Sequence, residues 1–267
     1  MTEPSATTTT ATTTTTTKAI THYEMLLAEH FSWMLGGDIP AAAAQQTELL
    51  RDLGVTPAGN GATAVDLGCG PGTQSLALVA LGFGPVIAVD TSAELLAELA
   101  AYVKESGADI RPVHADLRTA LREFTEPGTV SAVVCMGDTL THLPTRADVT
   151  ALLADVAVAL SEGGHLVITY RDLTAPLHGT DRFFPVRATE DKLLTCFVEY
   201  ADEETATVHD LLHTREGETW QLRTGSYPKL RIATQWLESH CREAGLTVRS
   251  SEMGQRGMRV LHAVRGG

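Results

Sequence analysis

The chain has no run of 18 apolar residues; its one alanine-rich stretch, Ala41 to Ala44, is closed by Gln45 and Gln46. A membrane-crossing helix needs about 20 such residues, so none is expected. Positive charge is scarce, with 20 Lys+Arg against 33 Asp+Glu and a formal net charge of -13. The few cations form no cluster, and an acidic surface repels a phosphate backbone, so nucleic acid is not an expected substrate. There is no CxxC pair: Cys69, Cys135, Cys196 and Cys241 are scattered. That spacing argues against structural zinc and a disulfide framework, and for a reducing, cytoplasmic setting. A basic-then-apolar start with a cleavage site is also missing. The first 17 residues contain 11 threonines but no aromatic residue and no Leu, Ile or Val. Residues 1–17 are therefore expected to be a disordered tail, and the absence of Arg with the presence of Glu3 speaks against a mitochondrial presequence.

What is there, 267 residues of which 43% are hydrophobic, suffices for one globular domain carrying an insertion. From Lys18, the residues Tyr23, Leu26, Leu27, His30, Phe31 and Met34 recur at helical spacing until Gly36-Gly37. Asp38 is placed to cap a second helix, Ile39 to about Leu53, with Pro40 in its first turn. Residues 18–61 thus read as a helical cap.

From Ala62 short β-branched runs alternate with amphipathic segments, the pattern of a parallel sheet covered on both faces. Strands are predicted at Ala62–Leu67, Pro85–Asp90, Ile110–Ala115, Val130–Met136 and His165–Tyr170, with helices at Ser75–Leu81, Ala93–Ser106 and Arg146–Leu160. The fold class is α/β, a doubly wound core. After Tyr170 the rhythm changes. Lys192–Tyr200, Thr205–His213 and Thr219–Ser226 read as an antiparallel meander, so residues 175–230 are expected to be an insertion in a domain of residues 62–267. A helix at Ala233–Ala244 and strands near Leu246–Ser251 and Met258–Val264 complete a seven-stranded sheet.

The chemistry centres on Val65-Asp66-Leu67-Gly68-Cys69-Gly70-Pro71-Gly72-Thr73, where the first strand turns into a helix. Glycines there let the backbone approach a ligand, and the helix N-terminus favours negative charge on it. The dinucleotide pattern GxGxxG is not completed, because Thr73 stands at its third glycine, which weakens a nicotinamide-dependent oxidoreductase reading. The stretch has instead the form DxGxGxG.

With these residues the chain resembles the class I S-adenosylmethionine-dependent methyltransferases of the small-molecule type, from roughly Ala62 to Gly267. The resemblance implies S-adenosylmethionine as cofactor, held around Asp66, Gly68, Cys69 and Gly70. It gives Asp90, at the end of the second strand, the ribose hydroxyls, with Thr91 beside it. Asp116 receives the adenine amino group, with Leu117 beside it, and Cys135 and Met136 line the methionine portion. Taken alone, Asp90 also fits a helix cap and Asp116 a turn residue; Cys69 is given no chemistry. Several small-molecule members carry Gly-Asn-Ser-x-x-His-Leu after the fourth strand, where this chain reads Gly137-Asp138-Thr139-Leu140-Thr141-His142-Leu143. Tyr23 and Trp33 resemble the segment that closes over the cofactor, and also fit plain apolar anchors.

A covered pocket favours a metabolite over a macromolecular acceptor. The expected activity is methyl transfer to a small-molecule N or O acceptor; the alternatives are a C-methyltransferase of specialised metabolism and a nucleotide-cofactor-binding protein without catalysis. A hydroxyl or protonated amine must lose a proton, and His142, Asp138 and Tyr170 are the candidate catalytic groups. Arg171 and Asp172 are candidates for substrate binding or for a structural ion pair with each other. His209 and His213 are assigned to the pocket, not to a metal, because four residues of strand hold their rings roughly 13 Å apart. The sequence leaves the acceptor atom and the oligomeric state open.

Overall fold

The computed structural model describes His22, residues 26–200 and residues 202–266. The Thr-rich segment 1–17 and Tyr23 lie outside the described residues. Helix α1 (Ala28–Met34) stops at Gly36-Gly37, which take φ of 117° and 82°. Helix α2 (Ile39–Asp52) starts as its sequence dictates: the Asp38 side chain accepts from the Ala41 N–H at 2.9 Å and Pro40 occupies the first turn.

Then come β1 (Thr63–Leu67), α3 (Thr73–Ala80), β2 (Val86–Asp90), α4 (Ala93–Ser106), β3 (Ile110–His114), α5 (Leu117–Phe124), β4 (Val130–Cys135), α6 (Arg146–Ala159) and β5 (Leu160–Tyr170). These five strands are parallel neighbours in the order β3-β2-β1-β4-β5. After a second sheet come α7 (Thr234–Glu243), β10 (Leu246–Met253) and β11 (Arg259–Arg265). Strand β11 inserts antiparallel between β5 and β10, giving seven strands. Alternate residues of the strands serve opposite faces. Val65, Leu67, Ile87 and Val89 pack with α5, α6 and α7, whereas Ala64, Val86 and Ala88 pack with α2, α3 and α4. Helix α5, absent from the sequence reading, is a two-turn helix whose Leu117, Ala120, Leu121 and Phe124 recur at helical spacing and pack on the core.

The second sheet has four antiparallel strands, β6 (Phe183–Ala188), β7 (Lys192–Tyr200), β8 (Thr205–Glu216) and β9 (Thr219–Leu230), in that order. The sequence reading found three of them. It missed β6, which contains Pro185 and a register shift beside it, as suits an edge strand. One face of this sheet is buried. Leu194 and Leu212 pack with Leu26, Leu27, Trp33 and Met34, so α1 is clamped against it. Val198, Ala206, Val208 and Tyr227 pack with Leu173, in the segment that leaves β5.

Candidate active site

The glycine-rich turn between β1 and α3 is shaped for a backbone that must come close to something. Gly68, Gly70 and Gly72 have φ of 74°, 53° and 96°, a region that side chains disfavour. A Cβ on Gly68 would lie 2.3 Å from the Thr139 methyl, and one on Gly72 2.3 Å from Leu99 Cδ1. Asp66 lies beneath the turn, 1% exposed. Its Oδ2 accepts from Ser75 Oγ at 2.6 Å while Oδ1 has no partner. Burial without a cation raises this carboxyl to about 7. Asp90 ties the turn to the end of β2: Oδ2 accepts from the Gly70 N–H and Oδ1 from the Ser92 N–H, both at 2.8 Å. Helix α4 is capped by Ser92, so Asp90 is left for the loop and the cavity in front of it.

That cavity measures about 210 Å³. Gly68, Cys69, Gly70, Asp90, Thr91, Asp116, Leu117, Met136 and His142 all line it, as do Phe31 and Leu35 from the end of α1. On its wall the Thr73 hydroxyl is buried and without a partner. Asp116 caps α5 through the Arg118 N–H at 2.9 Å, and the Arg118 guanidinium grips both its oxygens. Burial works against ionisation there, but the Arg118 contacts prevail and hold Asp116 below the ordinary carboxylate range. Arg118 itself lines the cavity, a residue sequence reasoning passed over because α5 was not recognised.

Several expected positions are elsewhere. Trp33 is not on the cavity wall; its ring lies under Arg187 and Lys192 of the second sheet, at 5.4 and 5.8 Å. Phe31, two residues earlier on the helix, takes the place expected for it. Cys135 is buried in the core between β4 and the α5–α7 layer. Tyr170, fully buried, turns its hydroxyl to Thr234 Oγ1 at 3.3 Å, into the α7 side of the sheet; burial pushes it up to about 12. It is a core residue, not a proton acceptor at the cavity. Arg171 and Asp172 do not pair. Asp172 accepts from Thr174 and from the Thr234 N–H and hydroxyl, fixing the start of α7. Arg171 stacks over Phe184 at 5.0 Å.

Asp138 and His142 stand where the second sheet meets the β4 turn. Asp138 has φ of 76° and is 7% exposed. Its Oδ1 accepts from the Arg171 N–H at 2.9 Å and Thr141 Oγ1 at 3.0 Å, and its Oδ2 is ion-paired with Lys229 of β9. Burial opposes the charge, but Lys229 outweighs it and depresses the carboxyl. An Asp in this turn thus brings its own counter-ion, which the sequence could not pair with it. His142 stacks on Tyr227 with ring centroids 5.2 Å apart. Burial and the Lys229 ammonium push its imidazole down to about 3. Tyr227 in turn meets the ring of His22 at 4.7 Å, and His22 Nε2 is 2.8 Å from Asp210 Oδ2. Asp210 is the inward residue of β8; His209 and His213 occupy the other face, His209 paired with the exposed Glu199. Neither lines the 210 Å³ cavity. Among the described residues no group of three His, Cys, Asp or Glu side chains is placed to hold a metal ion.

The family model for a methyltransferase domain matches residues 64–164, the stretch from β1 to β5 that carries every cavity-lining carboxylate. This part of the chain is similar to methyltransferase domains, and the chain as a whole has the fold of the S-adenosylmethionine-dependent methyltransferases. The amino pentose methyltransferase CalS10 from Micromonospora echinaspora, solved with S-adenosylmethionine, superposes with a TM-score of 0.70 at 18% identity, covering 89% of this chain and 95% of that one. The sugar N-methyltransferase KedS8 from Streptoalloteichus gives 0.64 at 16% identity, covering 90% and 92%. In sequence, the glycine/sarcosine N-methyltransferase of Halorhodospira halochloris is 34% identical over 123 residues, 45% of each chain. The chain thus spans less than half the length of the curated relatives it matches.

Proposed function

We propose that the protein is an S-adenosylmethionine-dependent methyltransferase whose acceptor is the nitrogen of a small-molecule amine. The observation that carries this reading is the cavity itself. A backbone cradle that tolerates no side chain, an adjoining carboxylate and a buried, unpartnered Thr73 hydroxyl suit a ligand with a sugar edge and a polar tail. Asp90 would hold the ribose, Asp116 with Leu117 the adenine, and Gly68, Gly70 and Met136 the methionine part. Bound there, the cofactor supplies an already activated methyl group. The protein's own task is to orient an acceptor atom beside it and to exclude water. The amine is favoured over a hydroxyl because the sequence relatives and the structural neighbour KedS8 are named as N-methyltransferases.

Residues 18–61 and 175–230 act in this account as a cap and a lid on the domain of residues 62–267, with α1 held between lid and cavity. Arg171, for which no carboxylate partner exists among the described residues, suits an acceptor bearing a carboxylate. The four thiols are unpaired, as fits a reducing, cytoplasmic setting. No helix of the described residues is long and apolar enough to cross a membrane. The test is release of S-adenosylhomocysteine over a panel of glycine, sarcosine, amino sugars, phenols and sugar alcohols, with products weighed by mass spectrometry. A 14 Da gain on amines supports the reading. Turnover confined to the hydroxyl compounds, or cofactor binding with no turnover, overturns it.

A further inference from the structure

Two carboxylates line the cofactor cavity, Asp90 and Asp116, and they are held in different ways. Asp90 accepts from the backbone N–H groups of Gly70 and Ser92, and burial raises it. Asp116 is held by a cation. Arg118, the single lysine or arginine on the cavity wall among the described residues, donates through Nε at 2.9 and 3.1 Å and through Nη2 at 2.6 Å, and its backbone N–H adds a third donor at 2.9 Å. A guanidinium fork matched to both oxygens fixes the plane and the charge of a carboxylate. The other ion contact of Arg118, from Nη1 to Asp148 Oδ1, is long at 3.9 Å. Without the fork the balance at Asp116 reverses, since burial works against its ionisation. The carboxylate still has room for one more donor. Its two oxygens offer about four lone-pair sites and Arg118 supplies three N–H groups, which leaves one site on a side chain that lines the cavity and is 33% exposed.

We propose that Arg118 sets which purine the cofactor subsite takes: by fixing Asp116 as an acceptor only, it selects a ring that carries an exocyclic amino group. This rests on the reading above that the adenine lies at Asp116. Arg118 is a positioning residue, acting on the purine through the carboxylate it holds. The charged or titratable groups around this end of the cavity are Arg118 of α5, Asp90 at the end of β2, His114 at the end of β3, Asp148 of α6 beyond Arg118, and His142 after β4.

The experiment titrates S-adenosylhomocysteine, and its analogue with purine in place of adenine, into the full chain as parent, Arg118→Met, Arg118→Gln and Asp116→Asn. Circular dichroism establishes that each is folded, and the titrations are repeated from about pH 5 to about pH 8, above the ordinary carboxylate range. The analogue lacks only the 6-amino group, so the ratio of the two affinities isolates the contact with Asp116. The parent should prefer the adenine compound by roughly 30-fold or more at every pH, the effect of a charge-assisted hydrogen bond. In Arg118→Met the preference should fall to less than about fivefold at the acid end and recover in part toward the alkaline end, because a buried carboxyl released from its cation takes up a proton. Arg118→Gln keeps a hydrogen-bond donor without the charge; it should follow Arg118→Met, and it answers the question if that variant fails to fold. Asp116→Asn, neutral throughout, should show a low preference that does not change with pH. A residue that only caps α5 would lower both affinities alike and leave their ratio flat. Arg118 variants that keep the parent's preference across the range, or a parent whose preference is absent or falls toward the acid end, overturn the assignment while cofactor binding stands. A folded parent that binds neither compound overturns the cofactor reading as well.

Discussion

The cofactor wall and the underside of the second sheet hold their buried charges in opposite ways. Asp66 and Asp90 are accommodated by hydroxyl and backbone N–H groups of the glycine turn, α3 and the end of β2, with no Lys or Arg paired to either among the described residues, and both are raised by burial. Asp138 and Asp210 are held by side chains from distant parts of the chain, Lys229 at a separation of 91 residues and His22 at 188. The first wall tolerates burial through neutral hydrogen-bond donors, which suits a site that receives a polar ligand. The second fastens the insertion to the rest of the chain through long-range side-chain pairs, and so makes that side of the pocket depend on them.

The largest effect should come from breaking one pair. Lys229→Met leaves the Asp138 charge buried alone and is expected to cost roughly 3–5 kcal/mol in urea unfolding, whereas adding Asp138→Asn to it should recover most of that loss. Additive losses in the double variant would mean the two residues act separately.

The pH dependence of stability should separate the two walls next. Asp66 has an ordinary value of 3.8 and about 7 in the folded protein, so between these the native state binds more protons and its stability falls as pH rises. Asp138 is depressed, so its contribution is present above 3.8 and lost as pH falls through its folded value. Melting temperatures of Asp66→Asn should therefore be flatter than the parent's from about pH 4 to 7, and those of Asp138→Asn flatter on the acid side. An unchanged slope in Asp66→Asn would show that this carboxyl is ionised throughout.

The same contrast explains what was legible in the sequence. The cofactor wall is local: DxGxGxG, Asp90 and Asp116 each follow a β-branched strand, so period and turn chemistry together locate them. Trp33 was misjudged because α1 exposes two usable faces, and its neighbour Phe31 was the one turned to the cavity. Tyr170 and Asp172 were misread because α7, more than 60 residues later, captures both. His209 and His213 drew attention as a spaced pair. Strand alternation puts them on the outer face and Asp210 inside, a distinction that depends on which face the insertion buries. Lys229, His22 and Arg118 gave no local signal, since each matters through one partner.

The smallest effect tests that alternation. His209→Ala removes an exposed contact with Glu199 and should change stability by less than about 0.5 kcal/mol, with turnover at the parent's level. A loss of acceptor affinity would put the substrate on the wrong side of the sheet in this account.

The most direct test of the central claim is calorimetric titration of S-adenosylmethionine into the parent and into Asp90→Ala, with circular dichroism to establish that both are folded. The parent should bind one equivalent, and the variant should bind at least tenfold more weakly, since a carboxylate accepting from two hydroxyls contributes roughly 1.5–3 kcal/mol. Equal affinities, or a folded parent that takes up no cofactor, would contradict the account.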